Sequence, residues 1–372
     1  MDDQNELEGQ DHSSRQGISR RELFRRAALG TSTLSIPAIL GALGANVPGV
    51  ANAESIYKPL GGNPYPGHPR WKFTFVNHVT TNPFFVPTQY GIQDACALTN
   101  CTYQWTGSST SSVPEMVNAM NAAIAARVDG IAVAIIDPHA FNQPVARALA
   151  RGIPVVAYNA DAPASSHNTR MAYIGQDLFL SGYKMGQRIV SLVGRGDVVL
   201  FIATPGTLNI QPRINGAAAA IKALASGRIT YHEIASGALV NQEIASINAY
   251  YLGHRSVRGM FAVDAGSTQT VGQVSARYGL AGKGVKTGGY DLTPITLQAL
   301  AAGNLNFTID QQPYLQGFVP VMQLFLYHLS GGLLAPSDTN TGLKFVTRAN
   351  VGKYRRTTSR YEGSSPAEKW VR

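Results

Sequence analysis

The sequence predicts an α/β protein made of two doubly wound lobes, each built on a parallel sheet. Three observations carry this. Strand-like and helix-like segments alternate from Trp71 onward. The strand cores are continuous apolar runs, which is what strands covered on both faces require. The alternation runs through one series and then opens a second, in a chain of 372 residues that is 44% hydrophobic and 14% charged. That length and composition allow two cores.

In the first series, the strand WKFTFV (71–76) leads into a helix over 86–100. TYQWTG (102–107) precedes a helix over 113–128, and GIAVAII (130–136) precedes one over 139–152. Strands follow at 153–159 and 172–177, then a helix over 178–194. The second series starts with DVVLFIA (197–203) and the helix 212–226. It continues through strand 229–236, helix 241–254, strand 257–264, helix 267–279, strand 286–291, helix 294–303 and strand 305–310. Two such series describe two doubly wound lobes.

Ahead of Trp71 the chain has a different character. SRRELFRR pairs Arg20 with Arg21, a moderately apolar stretch follows, and small residues at Ala51 and Ala53 mark a cleavage site. This is the pattern of a twin-arginine export signal over 1–53. The Pro- and Gly-rich segment 54–70 is expected to be an extended linker. The formal net charge is +9. Much of the excess lies near the end, at Lys344, Arg348, Lys353, Arg355, Arg356, Arg360, Lys369 and Arg372, a solvated basic run. Cys96 and Cys101 are too few and too isolated from histidine for a metal site. In an oxidising compartment they are expected to form a short-loop disulfide; otherwise they are two buried thiols.

Open parallel sheets bind ligands beyond the carboxyl ends of their strands. In this chain those positions repeatedly hold planar polar groups. His78, Asn82, Phe84 and Phe85 follow the first strand, Asp137 the third, and Asn159 the fourth. In the second series Arg213 closes the loop TPGTLNIQPR, and Asp264, Tyr290, Asp291 and Gln311 end later strands. Each residue alone also suits a turn or helix cap. Together they describe a polar cleft with aromatic walls.

NPFF, DPHA, an R-x-x-G opening a helix, FAVD, GGYD and TIDQQP occur in that order. On these motifs, over about Trp71 to Tyr354, the chain resembles the periplasmic sugar-binding proteins of the ribose- and galactose-binding type, the substrate-binding components of ABC importers. The resemblance implies a three-stranded hinge, with crossings near 174–176, 311–313 and 343. Lobe 1 would be 71–175 with 312–341, and lobe 2 would be 176–311 with 342–372. It implies a monomer in the periplasm that takes a sugar or polyol, without cofactor, metal or nucleic acid, and meets an ABC permease in the membrane. The residues named above become ligand contacts, with Phe84, Phe85 and Tyr290 as aromatic plates. YNAD departs from the Asp-Arg pair of ribose binders: Asn159 keeps a polar group and Ala160 supplies no arginine, which disfavours ribose.

The chemistry fits. A sugar ring offers a face of C–H groups to an aromatic ring and a rim of hydroxyls to bidentate side chains. Phe85 is expected either in the cleft wall or in its own core, and His78 either on ligand or in a capped turn. A binding protein that presents its ligand to a receptor is the alternative to transport. An exported enzyme is the weaker rival, because no G-x-S-x-G, H-E-x-x-H or dinucleotide turn is present.

Overall fold

The computed structural model describes residues 65–356 and Tyr361. The expected export signal, the linker as far as residue 64, and residues 357–360 and 362–372 lie outside the described residues.

The first lobe follows the expected alternation. Strand β1 (Lys72–Asn77) passes through a 3-10 turn (Pro83–Phe85) into α1 (Val86–Thr99). Then come β2 (Thr102–Gly107), α2 (Val113–Ala125), β3 (Gly130–Val133), α3 (Asn142–Leu149), β4 (Val155–Tyr158) and β5 (Ala172–Gly175). The second lobe contains α4 (Leu178–Val193), β6 (Gly196–Ile202), α5 (Gln211–Ala225), β7 (Ile229–Ala235), α6 (Val240–Gly253), β8 (Gly259–Ala262), α7 (Ala265–Tyr278), β9 (Lys286–Tyr290), α8 (Pro294–Ala302) and β10 (Phe307–Asp310). The chain ends with α9 (Leu315–Leu329), β11 (Thr339–Asn340), β12 (Lys344–Val346) and α10 (Gly352–Arg356).

The two sheets repeat one plan. One runs β11-β5-β4-β3-β1-β2 and the other β12-β10-β9-β8-β6-β7. Every pairing is parallel except that of β12 with β10. β3, β4 and β8 are buried throughout, which explains their unbroken apolar runs. The strand order reverses next to β1 in one sheet and β6 in the other, which opens a crevice at the carboxyl ends of each.

The chain passes between the sheets three times. After β5 it enters α4, whose Met185 and Ile189 pack with Val198 and Leu200 of the second lobe. After β10 it enters α9, whose Val321, Leu324 and Phe325 join Phe73 and Phe75 in the first core. β11 then lies on the first sheet and β12 on the second. The described end of the linker segment is docked, not free: the Tyr65 ring meets Phe325 edge-on at 4.7 Å, and His68 stacks on Trp71 at 4.7 Å.

Polar caps end the strand-to-helix turns. Asp177 Oδ1 accepts from the Leu180 amide at 2.9 Å, and Asp264 Oδ1 accepts from the Ser267 amide at 2.8 Å. α4 and α5 cross in close contact through glycines. A Cβ on Gly182 would lie 2.0 Å from the Arg213 carbonyl oxygen, and one on Gly216 would lie 2.1 Å from that of Phe179. This crossing fixes the helix that carries Arg213.

The expected disulfide is not formed. Cys96 and Cys101 are both free and buried. The Cys96 carbonyl accepts the Asn100 and Cys101 amides as the helix ends in a left-handed turn at Asn100. The Cys101 thiol instead faces the Thr99 carbonyl at 3.5 Å. Burial pushes the Cys96 thiol up to about 12, so it has little thiolate character at neutral pH.

Two outcomes follow from these contacts. Intact mass after alkylation without reductant should show two modified thiols in the unfolded protein and slow modification in the folded one; a product lacking two hydrogens and refusing alkylation would contradict the structure. Gly216→Ala should destabilise the protein by about 1–3 kcal/mol in thermal melts, because the backbone of α4 must move away. A change below about 0.5 kcal/mol, the range of ordinary surface substitutions, would show that the crossing is loose.

Candidate functional site

The carboxyl ends of both sheets face one cleft, lined by His78, Asn82, Phe84, Phe85, Asn159, Arg213, Glu243, Asp264, Asp291 and Gln311 among others. From the first lobe, Asn82 caps the 3-10 turn by accepting the Phe84 amide at 2.9 Å, which leaves its amide group to the cleft. Phe84 is half-buried, whereas Phe85 is 2% exposed and belongs to the first core. The two rings meet edge to face at 4.7 Å, and His78 meets Phe85 edge-on at 5.3 Å. Burial lowers His78 to about 4, so it is neutral at ordinary pH.

The second lobe supplies the charge. Arg213 is 2% exposed. Its guanidinium lies over the Tyr290 ring at 4.1 Å and donates to the Val263 carbonyl at 2.8 Å and to Gln176 Oε1 at 3.2 Å. Asp264 uses both carboxylate oxygens on backbone, accepting from the Ser267 and Ala203 amides at 2.8 and 3.0 Å. Asp291 stands at φ 73 and Asn159 at φ 63, both in the left-handed region. Such conformations cost on the order of 1 kcal/mol and cluster where ligands are held. Gly289 makes room beside Asp291, since a Cβ there would lie 2.1 Å from Thr268 Oγ1. That hydroxyl accepts the Tyr290 amide at 2.9 Å.

A relay of amides joins the lobes behind the cleft. Asn159 Nδ2 donates to Gln316 Oε1 at 3.0 Å, Gln316 Nε2 to Gln311 Oε1 at 3.1 Å, and Gln311 Nε2 to Asp291 Oδ1 at 2.8 Å. Gln176 Nε2 donates to the Gly342 carbonyl at 3.0 Å, which ties Arg213 to a second hinge strand. In front, the lobes touch directly. The Leu208 amide donates to the Ile136 carbonyl at 3.0 Å, and Asn209 Nδ2 lies 3.2 Å from His78 Nε2. This is a closed arrangement.

Four buried polar atoms in this closed cleft have no protein partner: His78 Nδ1, Asn209 Oδ1, Arg213 Nε and Glu243 Oε2. Each such atom costs roughly 1–3 kcal/mol if left unpaired, so their convergence makes the space they surround the candidate ligand site. A larger recess of ≈ 430 Å³ lies elsewhere, bordered by Asp161, Tyr173, Phe179, Leu208 and Asp338. None of its lining residues carries such an atom among the described residues. Burial raises Asp291 to about 6, with Arg213 opposing, and raises Glu243 to about 8, with the Asp264 charge adding to it. Two carboxyl groups, Asp264 and Asp291, share the one guanidinium of Arg213, which disfavours anionic ligands and suits neutral polyhydroxyl compounds.

The structure brings nine of the eleven expected residues to this cleft and leaves out two. Asp137 turns back on its own chain, where Oδ1 accepts the His139 and Ala140 amides at 2.8 Å each. Tyr290 is fully buried, with its hydroxyl 2.8 Å from Ser181 Oγ and its face under Arg213; it is a platform for the guanidinium, not a plate for ligand. Sequence reasoning missed Asn209 and Glu243. Asn209 sits inside the loop whose ends had been marked, and Glu243 sits within a helix, where no strand-end signal points to it.

Fold and cleft together define a two-lobed binding protein with a polar cleft between its lobes. A model of the periplasmic binding protein domain matches residues 73–331, and the chain belongs to that family. It is 50% identical to the xylose/arabinose-binding protein XylF of Sulfolobus acidocaldarius, over 95% of this chain and 92% of that protein. Solved structures share the fold. A solute-binding protein from Burkholderia graminis in complex with D-arabinose has a TM-score of 0.70 at 24% identity, covering 76% of this chain and 97% of that one. Another from Agrobacterium vitis with bound D-fucose has a TM-score of 0.71 at 21% identity, covering 77% and 98%. The family consists of binding proteins, not enzymes.

Asp291 lets site and stability be separated. Its carboxyl is raised in the folded state, so the stability it contributes is complete below about 4 and is lost as pH rises through about 6. Asp291→Asn should therefore stabilise the ligand-free protein by on the order of 1–2 kcal/mol at neutral pH and flatten the melting profile between about pH 4 and 6. A variant less stable than wild type at neutral pH would mean that the Gln311 hydrogen bond and the Arg213 charge outweigh the burial cost of the Asp291 carboxylate.

Proposed function

We propose that the chain is an exported substrate-binding protein that closes on a pentose of the xylose or arabinose type and delivers it to an ABC importer. The observation that carries this is the set of unpartnered buried atoms on both sides of a cleft lined by hydroxyl-matched polar side chains. The 50% identity to a xylose/arabinose-binding protein over nearly the full length of both chains supports the sugar class. Phe84 would cover a ring face. Asn82, Asn159, Arg213, Asp291 and the Asn209 side chain would hold the hydroxyl rim. Export belongs to the reading through the twin-arginine pattern around Arg20 and Arg21. Among the described residues no helix is long and apolar enough to cross a membrane. Delivery would follow hinge opening at the three crossings.

Thermal shift and calorimetry with D-xylose and L-arabinose, alongside D-ribose and D-galactose, test the ligand class. A cognate sugar at 100 times its Kd should add about 2.7 kcal/mol of stability. Arg213→Ala should weaken that binding by about 2–5 kcal/mol, because it strips a buried charged partner from the cleft. Failure of every sugar to shift the melt would sink the reading. Wild-type affinity in Arg213→Ala would remove that residue from the site.

A further inference from the structure

We propose that Glu243 is a ligand-contacting, specificity-determining residue of this cleft, its carboxyl donating a hydrogen bond to a ligand oxygen. The inference rests on the reading of the cleft as a sugar site. Glu243 enters from the first turn of α6 and is 4% exposed. It lines the cleft beside Arg213, Asp264 and Asp291 of its own lobe and His78 of the other, and its Oε2 has no partner. A buried carboxyl oxygen left empty is a cost that a bound hydroxyl or ring oxygen removes.

The surroundings are shaped for it. A Cβ on Gly266 would lie 2.2 Å from Glu243 Oε2 and 2.3 Å from Oε1. The carboxyl therefore rests against the first turn of α7, where only glycine leaves room. Asp264 already caps that turn with both oxygens committed to amides. Asp264 can only accept, and a second negative charge beside it is opposed. Arg213 would favour that charge, but two of its nitrogens are spent on Val263 and Gln176. Burial raises Glu243 most, and Asp264 adds to it through its charge and by accepting the Glu243 proton in a carboxyl–carboxylate hydrogen bond, so Glu243 is protonated at neutral pH and a ligand oxygen would take the place of Asp264 as acceptor. It is then a donor in a cleft otherwise rich in carboxylate acceptors, which matches a ligand oxygen that has no proton of its own to give.

Donation needs the acid form, so binding should weaken as pH rises through the Glu243 range. Asp291 and His78 change charge below neutral pH, whereas Asp264, also raised by burial, shares a proton with Glu243, so the fall belongs to the pair and Glu243→Gln, which keeps Asp264, tells the two carboxyls apart. Calorimetry with D-xylose and L-arabinose at about pH 7 and about pH 9, on the wild-type protein, Glu243→Gln and Glu243→Ala, tests this. Wild-type affinity should fall about tenfold over those two pH units. Glu243→Gln, which donates at any pH, should bind within about threefold of wild type at neutral pH and show no such fall, and Glu243→Ala should bind at least about tenfold more weakly. Ligand-free melts of the same samples separate a folding defect from a binding one, and the pH profile of Glu243→Gln decides the matter if Glu243→Ala does not fold. A flat wild-type profile, the same fall in Glu243→Gln, or wild-type affinity in a folded Glu243→Ala overturns the proposal alone. A wild-type protein that binds neither sugar overturns the functional reading and the proposal with it.

Discussion

Arg213 is a guanidinium held almost wholly out of water, and the architecture around it exists to make that tolerable. Its face rests on Tyr290 and two of its nitrogens bond to Val263 and Gln176. Asp291 and Asp264 balance its charge from nearby strand ends. Burying an unpaired cation costs far more than a folded domain can spare. So the close crossing of α4 with α5, the glycines on both sides of it, and the hinge glutamine all follow from one placement. Because Gln176 also bonds to the Gly342 carbonyl, the same guanidinium is coupled to the strand that returns between lobes.

The cleft is closed yet incompletely bonded. The lobes meet through Leu208 with Ile136 and Asn209 with His78, while the Asn159-Gln316-Gln311-Asp291 relay joins them behind. Four atoms nonetheless face the enclosed space without partners. Closure without ligand leaves those atoms desolvated; closure on a polyhydroxyl ligand fills them. On the proposed reading, the difference between the two states would drive a ligand-dependent hinge.

Much of the fold was legible because both of its signals are local. Apolar runs such as VVLFI mark strands covered on both faces, and polar residues at their ends mark the crevice. Asn82, Asn159, Arg213, Asp291 and Gln311 reach the cleft for that reason. The same positional rule overreached at Asp137, whose short side chain is satisfied by its own turn, and at Tyr290, whose ring is one residue on the wrong side of the strand's alternation. Phe85 answers to both expectations, as a wall of the cleft and a member of the core. Glu243 and Asn209 depend on tertiary packing, the one on a helix laid against Gly266 and the other on contact between lobes, and neither leaves a local trace. The Cys96 and Cys101 pair was expected to be bonded from export and short spacing, whereas in the structure both thiols are free and buried, with the Cys101 thiol on the Thr99 carbonyl.

A crystal structure of the mature protein grown with D-xylose is the most direct test of the central claim. The account predicts one sugar in the cleft, a ring face on Phe84, and hydroxyl oxygens within about 3.2 Å of Arg213 and Asp291. It also predicts that at least two of the four unpartnered atoms gain ligand bonds. A sugar bound instead in the recess beside Phe179 and Asp338, or a closed cleft with Arg213 unengaged, would contradict it.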